Sequence, residues 1–203
     1  MKTIKLVAFA AALATFAATA MAQTAPPTRL RGSIAALDGN TLTVATREGG
    51  TAKVALADQW TVTLVTPLTL ADIKQGSFVG VASMKKPDGT REALEVLVFP
   101  EAMRGTGEGD YPWDLKPESM MTNASVSKVV QSGDNHTLTL SYKGEGTQTI
   151  HVGKDVPIVT FVPGTRADAK VGAKVFLGTT KAADGSLSAA RINVGKDGLT
   201  PPM

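Results

Sequence analysis

TLADIKQGSFVGV, Thr69 to Val81, returns as TRADAKVGAKVFL, Thr165 to Leu177, with Thr, Ala, Asp, Lys, Gly and Val at matching positions. The offset is constant (165 − 69 = 96; 172 − 76 = 96), so the chain is a duplication and one unit is built twice. Thr69 is placed to cap a helical turn, with Asp72 reaching back from three residues on as in a capping box. Gly76 then stands where the turn needs a left-handed exit. Thr165, Asp168 and Gly172 repeat all three choices. The stretch reads as one capped helical turn that ends in glycine and feeds a strand, SFVGVA in the first copy and AKVFLG in the second.

Around it the first half alternates with period two: Leu30, Gly32 and Ile34; Leu42 and Val44; Val54 and Leu56; Val62 and Leu64; Val79 and Val81; Leu94, Val96 and Val98. Such alternation between turn residues argues strands with one buried face, with Asp38-Gly39-Asn40 and Pro87-Asp88-Gly89 as hairpin turns. The second half follows the same plan, Val54 matching Ile150, Val62 matching Ile158 and Val98 matching Val194. Ile34 matches Val126 at an offset of 92, so the second copy carries four extra residues near Gln131 to Asn135. About six short strands and one helical turn per copy predict an all-β chain of two tandem OB-like barrels, at 29–99 and 124–195, with 196–203 as a tail. An SH3-like or Ig-like sandwich is the alternative.

Met1 to Ala22 has a secretory signal pattern: Lys2 and Lys5, an apolar run from Leu6 to Ala20, and a small-residue site predicting cleavage after Ala22. The expected address is the periplasm, with no membrane span left after cleavage. Without the two signal lysines the charge falls from +3 to about +1 (19 basic against 18 acidic), and no basic cluster longer than Lys85-Lys86 exists. Aromatic residues are 5% of the chain, too sparse for a base-stacking face, so nucleic acid is not expected as a partner. With no cysteine, thiol chemistry and cysteine metal sites are excluded.

Phe99 to Asn123, FPEAMRGTGEGDYPWDLKPESMMTN, has no twin in the repeat. Joining two copies takes only a few residues, so this connector (100–123) asks for another role. Packing of Tyr111 and Trp113 between the barrels is one reading. The other is a ligand or partner site, with Met103, Arg104, Glu108, Asp110, Tyr111, Trp113, Asp114, Met120 and Met121 as candidate contacts. The thioethers of Met103, Met120 and Met121 suit Cu(I) while the acids suit hard cations, and these preferences conflict, so neither a metal nor any other cofactor is assigned. His136 and His151 read as solvated strand residues. None of the common hydrolase, zinc-protease or nucleotide-loop signatures occurs, and the chain reads as a non-enzyme.

Asp38-Gly-Asn-Thr-Leu-Thr-Val44, Leu70-Ala-Asp-Ile-Lys-Gln-Gly76 and the strand entered from Asp88-Gly89 together resemble a family of secreted bacterial proteins of unknown function with tandem barrel-like repeats. The resemblance covers both halves. Some of those proteins carry the label of metal ABC transporter permeases, and the family often has a His where this chain has Asp110. The resemblance implies export and a barrel pair, and leaves two functions open: binding an envelope protein, saccharide or small ligand through the connector and barrel mouths, or handling metal beside a transporter.

Overall fold

The structure, a computed structural model, describes residues 28–144 and 146–203. The expected signal segment and cleavage site lie outside the described residues. The fold is all β. Its strands are β1 (Thr28–Asp38), β2 (Thr41–Thr46), β3 (Thr51–Leu68), β4 (Phe78–Lys85) and β5 (Arg91–Val98) in the first half, and β6 (Gly109–Pro112) in the connector. The second half holds β7 (Met120–Ser132), β8 (Asn135–Tyr142), β9 (Gly146–Val152), β10 (Ile158–Pro163), β11 (Lys174–Lys181) and β12 (Leu187–Gly195).

Both repeated turns form as single 3-10 turns, Leu70–Asp72 and Arg166–Asp168. The Asp72 carboxylate accepts from Thr69 N at 2.8 Å and from Thr69 Oγ1 at 2.7 Å, and Asp168 does the same for Thr165 at 2.7 and 2.9 Å. Gly76 and Gly172 sit at φ +87° and +85°, a region that favours glycine.

Each turn delivers its two following strands to the other half's barrel. The ring begun by β1, β2 and β3 is closed by β12, parallel to β3 with Ile192 opposite Val62, and by β11, antiparallel to β1 with Leu177 opposite Leu30. The ring begun by β7, β8 and β9 is closed in the same way by β5 and β4, with Arg91 opposite Ile150 and Val79 opposite Ala124. Both rings have five strands in an OB-like order, but neither 29–99 nor 124–195 closes one alone. The expected contiguous domains are corrected to composite ones, three strands from one half and two from the other.

The cause lies in β3. Val54-Leu56 and Val62-Leu64, expected as separate strands, belong to one strand of 18 residues, roughly 60 Å long at the rise of an extended chain. It carries the chain out of its own barrel before the turn at Leu70, so β4 starts against the neighbour. Its counterpart is split into β9 and β10 around Gly153 to Pro157, where proline has no N–H for the ladder. β3 and β10 pair antiparallel with Val65 opposite Phe161, repeat equivalents at the 96-residue offset, so a pseudo-two-fold axis runs between them. The flanking contacts then come in pairs: Gly76 N donates to Val126 O, and Gly172 N to Ile34 O, both at 2.8 Å.

Each barrel has its own apolar core. Leu42, Val44, Val54, Leu177 and Ile192 fill one, with Ala169 from the helical turn at its end; Val79, Val81, Leu138, Leu140 and Ile150 fill the other, with Ile73 in the equivalent place. A third cluster forms the seam on the axis: Val65, Leu97, Val159 and Met203, with Phe99, Trp113, Phe161 and Phe176 against them. The single-faced burial expected of β5 is therefore incomplete. Past an irregularity at Ala93–Glu95, both Glu95 and Leu97 are buried on the seam side while Val96 faces its barrel. The segment 196–203 is no free tail either: it turns at Lys196–Gly198 and lays Met203, 3% exposed, into the seam, where its carbonyl oxygen accepts from Arg31 Nε at 2.5 Å.

The exchange has a direct test. A protease site placed in the exposed Gly105–Gly107 loop should give two fragments that co-elute at micromolar concentration and part only on unfolding. Separation without denaturant would mean that each half closes its own barrel.

Candidate functional site

The connector folds back over the seam in steps its sequence makes plain. A 3-10 turn at Glu101–Met103 is held by Arg104, whose guanidinium donates to Glu101 Oε1 at 2.6 Å and to Gly76 O at 2.9 Å. Glycines 105 and 107, at φ +83° and +57°, reverse the chain into β6, which pairs antiparallel with β7. The return loop closes through Trp113 N, which donates to Ser119 O at 2.8 Å. Strand alternation then sorts the side chains. Tyr111, Trp113, Met121 and Asn123 point to the seam, while Asp110 and Thr122 meet on the opposite face.

Seam residues enclose a pocket of about 190 Å³. Its walls are the rings of Phe99, Phe161, Phe176, Tyr111 and Trp113 with Met103, Met121 and Met203, and the exposed Arg191 stands at its edge. Among the described residues seven buried side-chain polar atoms have no hydrogen-bond partner, and four of them belong to residues lining this pocket: both oxygens of Glu95, Trp113 Nε1 and Asn123 Oδ1. Buried polar atoms are nearly always satisfied, so this concentration marks the seam pocket above roomier surface hollows such as the one of about 600 Å³ beside exposed Gly133 to Asn135 and Lys154–Asp155.

Glu95 is fully buried on β5, and its burial pushes the carboxyl up to about 8 against the opposing field of Arg31. At neutral pH it carries a proton. Arg31 itself is tied down: Nη2 donates to Asp114 Oδ1 at 2.7 Å, Nε donates to Met203 O, and the guanidinium carbon lies 5.3 Å from the Phe176 ring centre. Arg29 stacks 3.7 Å over Trp113 and reaches Asp114 Oδ2 at 3.8 Å. Burial raises the Asp114 carboxyl, but the Arg31 hydrogen bond and the two positive charges outweigh it and hold the carboxyl low. Asn123 fixes the connector by donating its amide to Thr106 O at 3.0 Å and to Tyr111 Oη at 3.1 Å.

Of the residues singled out in the connector, Met103, Tyr111, Trp113 and Met121 line the pocket. Asp110 lies behind it, bidentate to Arg91 at 2.6 and 2.9 Å, and Asp114 serves Arg29 and Arg31. Arg104 binds Glu101, and Glu108 accepts from Lys143 N at 3.2 Å. Met120 faces away from the pocket lining, and Met203 joins Met103 and Met121 in its place. Among the described residues no three His, Cys, Asp or Glu side chains come together to hold a metal ion. His136 is corrected from a solvated residue to one 6% exposed, on a central strand between Gln131 of β7 and Val152 of β9; His151 Nδ1 lies 3.0 Å from Thr137 Oγ1.

Glu95, Asn123, Phe161, Phe176 and Met203 were outside the sequence-based site. One signal pointed to Glu95, a lone charge within the apolar run Ala93-Leu94-Glu95-Val96-Leu97-Val98. Alternation places it away from the core of its own barrel, on the face that the seam covers. Comparison with protein-family models, curated proteins and solved structures finds no match.

The Asp110–Arg91 pair anchors the connector. Burial raises the Asp110 carboxyl, but hydrogen bonds from Arg91 and Thr122 outweigh it and hold it below the usual carboxylate range. Its stabilisation is therefore complete above the unfolded value of about 4 and is lost as pH falls through the lower folded value. Asp110→Ala leaves Arg91, 7% exposed, without a countercharge and should cost about 3 kcal/mol in urea unfolding at pH 7. The gap from wild type should shrink in acid; a constant gap down to pH 2 would remove the pair from the account.

Proposed function

We propose that the protein is a non-enzymatic binding protein of the periplasm, exported on its Met1 to Ala22 signal, that holds a small ligand in the seam pocket. The observation that carries this reading is Glu95, a carboxyl without a partner, fully buried in a pocket walled by rings and thioethers. Folding alone gains nothing from it. Each pH unit by which its folded value exceeds the unfolded one costs about 1.4 kcal/mol once the group ionises in the unfolded chain, and such sacrifices of stability gather at functional sites. Mostly apolar walls with a few convergent polar atoms are what small-molecule sites share.

A second reading, metal handling, draws on one observation: Met103, Met121 and Met203 all line the same pocket. Thioethers select Cu(I). Calorimetric titration with Cu(I) separates it from the first, since saturable heat lost in Met121→Leu supports the metal and its lack removes it.

Because the Glu95 carboxyl is raised, its favourable effect is complete below the unfolded value of about 4.3 and fades as pH rises toward 8. Glu95→Met, similar in volume and uncharged, should raise the stability of the unliganded protein by about 2–4 kcal/mol at pH 8 and flatten that fall. Thermal-shift screening against small molecules should at the same time show stabilised wild type and unresponsive Glu95→Met. A variant no more stable than wild type at pH 8 would mean that Glu95 is satisfied in solution and would remove the observation on which the reading rests.

A further inference from the structure

Resting on the reading of the seam pocket as a ligand site, the geometry points to a small organic acid as its occupant: a carboxylate on a compact ring or branched body, accepting from the Glu95 carboxyl O–H and the Trp113 indole N–H.

Three observations choose an acid over an amine. The first is donor count. The indole nitrogen of Trp113 can only donate, and a carboxyl that keeps its proton donates as well, so two of the three unpartnered groups seek an acceptor. Asn123 Oδ1 and the second oxygen of the protonated Glu95 carboxyl are the acceptors of the set, met by a hydroxyl on the ligand body. The second is the state of the rings. An organic cation would seek aromatic faces, and two of the five rings in the walls already carry one, Arg29 over Trp113 and Arg31 beside Phe176. The third is charge. Arg29 and Arg31 are held by Asp114 and the Met203 oxygen, whereas Arg191 at the pocket's edge makes no ion pair among the described residues, so with Glu95 neutral its charge is the uncompensated one. Size sets the body of the ligand. An engineered cavity of roughly 150 Å³ accepts benzene, and about 190 Å³ adds room for a carboxylate.

Affinity then follows the Glu95 proton. That carboxyl feels the charge of Arg31 from β1, and the same pocket is lined by Arg191 of β12 and by Tyr111 of β6, whose hydroxyl burial holds above the usual phenol range. On its own strand Arg91 is paired with Asp110 and Glu92 with Lys86. Arginines stay charged throughout, so a rise from pH 6 to 9.5 removes the proton of Glu95 and turns a donor into a repelling anion.

Calorimetry and indole fluorescence with benzoate, phenylacetate and mandelate, beside benzyl alcohol and benzylamine, test this at pH 6 and 9.5. The acids should bind at pH 6 at least tenfold more tightly than benzylamine, and their affinity should fall about tenfold per pH unit above pH 8. Glu95→Gln, which keeps an N–H donor, should bind the acids with no such fall, and Glu95→Met should lose at least tenfold. Tighter binding of benzylamine or benzyl alcohol, or acid binding that is flat with pH in wild type, overturns the acid and leaves the pocket a ligand site. No binding by any of the five overturns the acid; no thermal shift from a broad small-molecule screen as well would overturn the ligand site itself.

Discussion

The antiparallel pairing of β3 with β10 across the pseudo-two-fold axis governs the rest of the molecule. Once Val65 lies opposite Phe161, each half has run past its own barrel, and the next two strands meet only the neighbour's open edges. The exchange satisfies the same ladder positions a self-closed barrel would, because the halves are near copies. It adds the β3–β10 ladder and the seam cluster around it, which separate barrels would lack. Since the halves share a chain, the exchange is intramolecular and carries no dilution penalty.

The same exchange explains what the connector is free to do. β5, where the first half ends, and β7, where the second begins, both flank β4 in one barrel. The connector therefore crosses no gap between domains. Its residues fold back as the β6–β7 pairing and the loop from Trp113 to Ser119, with Asp110 on one face bound to Arg91 and Tyr111 and Trp113 on the other over the seam. Covering the seam is the work left to them.

Much of this was legible in the sequence, and the parts that were not share a reason. The 96-residue offset, the Thr-Asp turns, the left-handed glycines and most core positions follow from local chemistry. Strand exchange does not, because repeat equivalents carry the same residue types: nothing local says whether Val79 pairs with Gly32 of its own half or with Ala124 of the other. The one local clue is Ala57 to Thr61, which lacks the glycine and proline that break the second copy at Gly153 and Pro157. The site was half legible. Alternation in the connector selects Tyr111, Trp113 and Met121, but the partners that retire Asp110 and Asp114 into ion pairs, Arg91 and Arg31, come from distant strands. Glu95 was missed because alternation describes one barrel, and its burial belongs to two.

Duplication also accounts for the unlike walls of the pocket. Residues that symmetry makes equivalent differ around it: Gly80 against Phe176, Glu95 against Arg191, Met121 against Arg29 and Asn123 against Arg31. From one side come Phe176, with the Arg31 guanidinium 5.3 Å from its ring centre, and Arg191, which reaches solvent. On the other, Gly80 withholds a side chain whose first carbon would lie 2.6 Å from Asn123 Oδ1 and 3.1 Å from the Phe99 ring. That omission leaves Asn123 room to hold Thr106 and Tyr111. An exchanged homodimer of single repeats would have to carry the same residue on both sides, and two uncompensated buried carboxyls would weigh on one seam. In a fused pair one side can keep the packing that joins the barrels while the other carries Glu95, so the asymmetry of sequence across the axis is what makes a costly buried acid compatible with a stable seam.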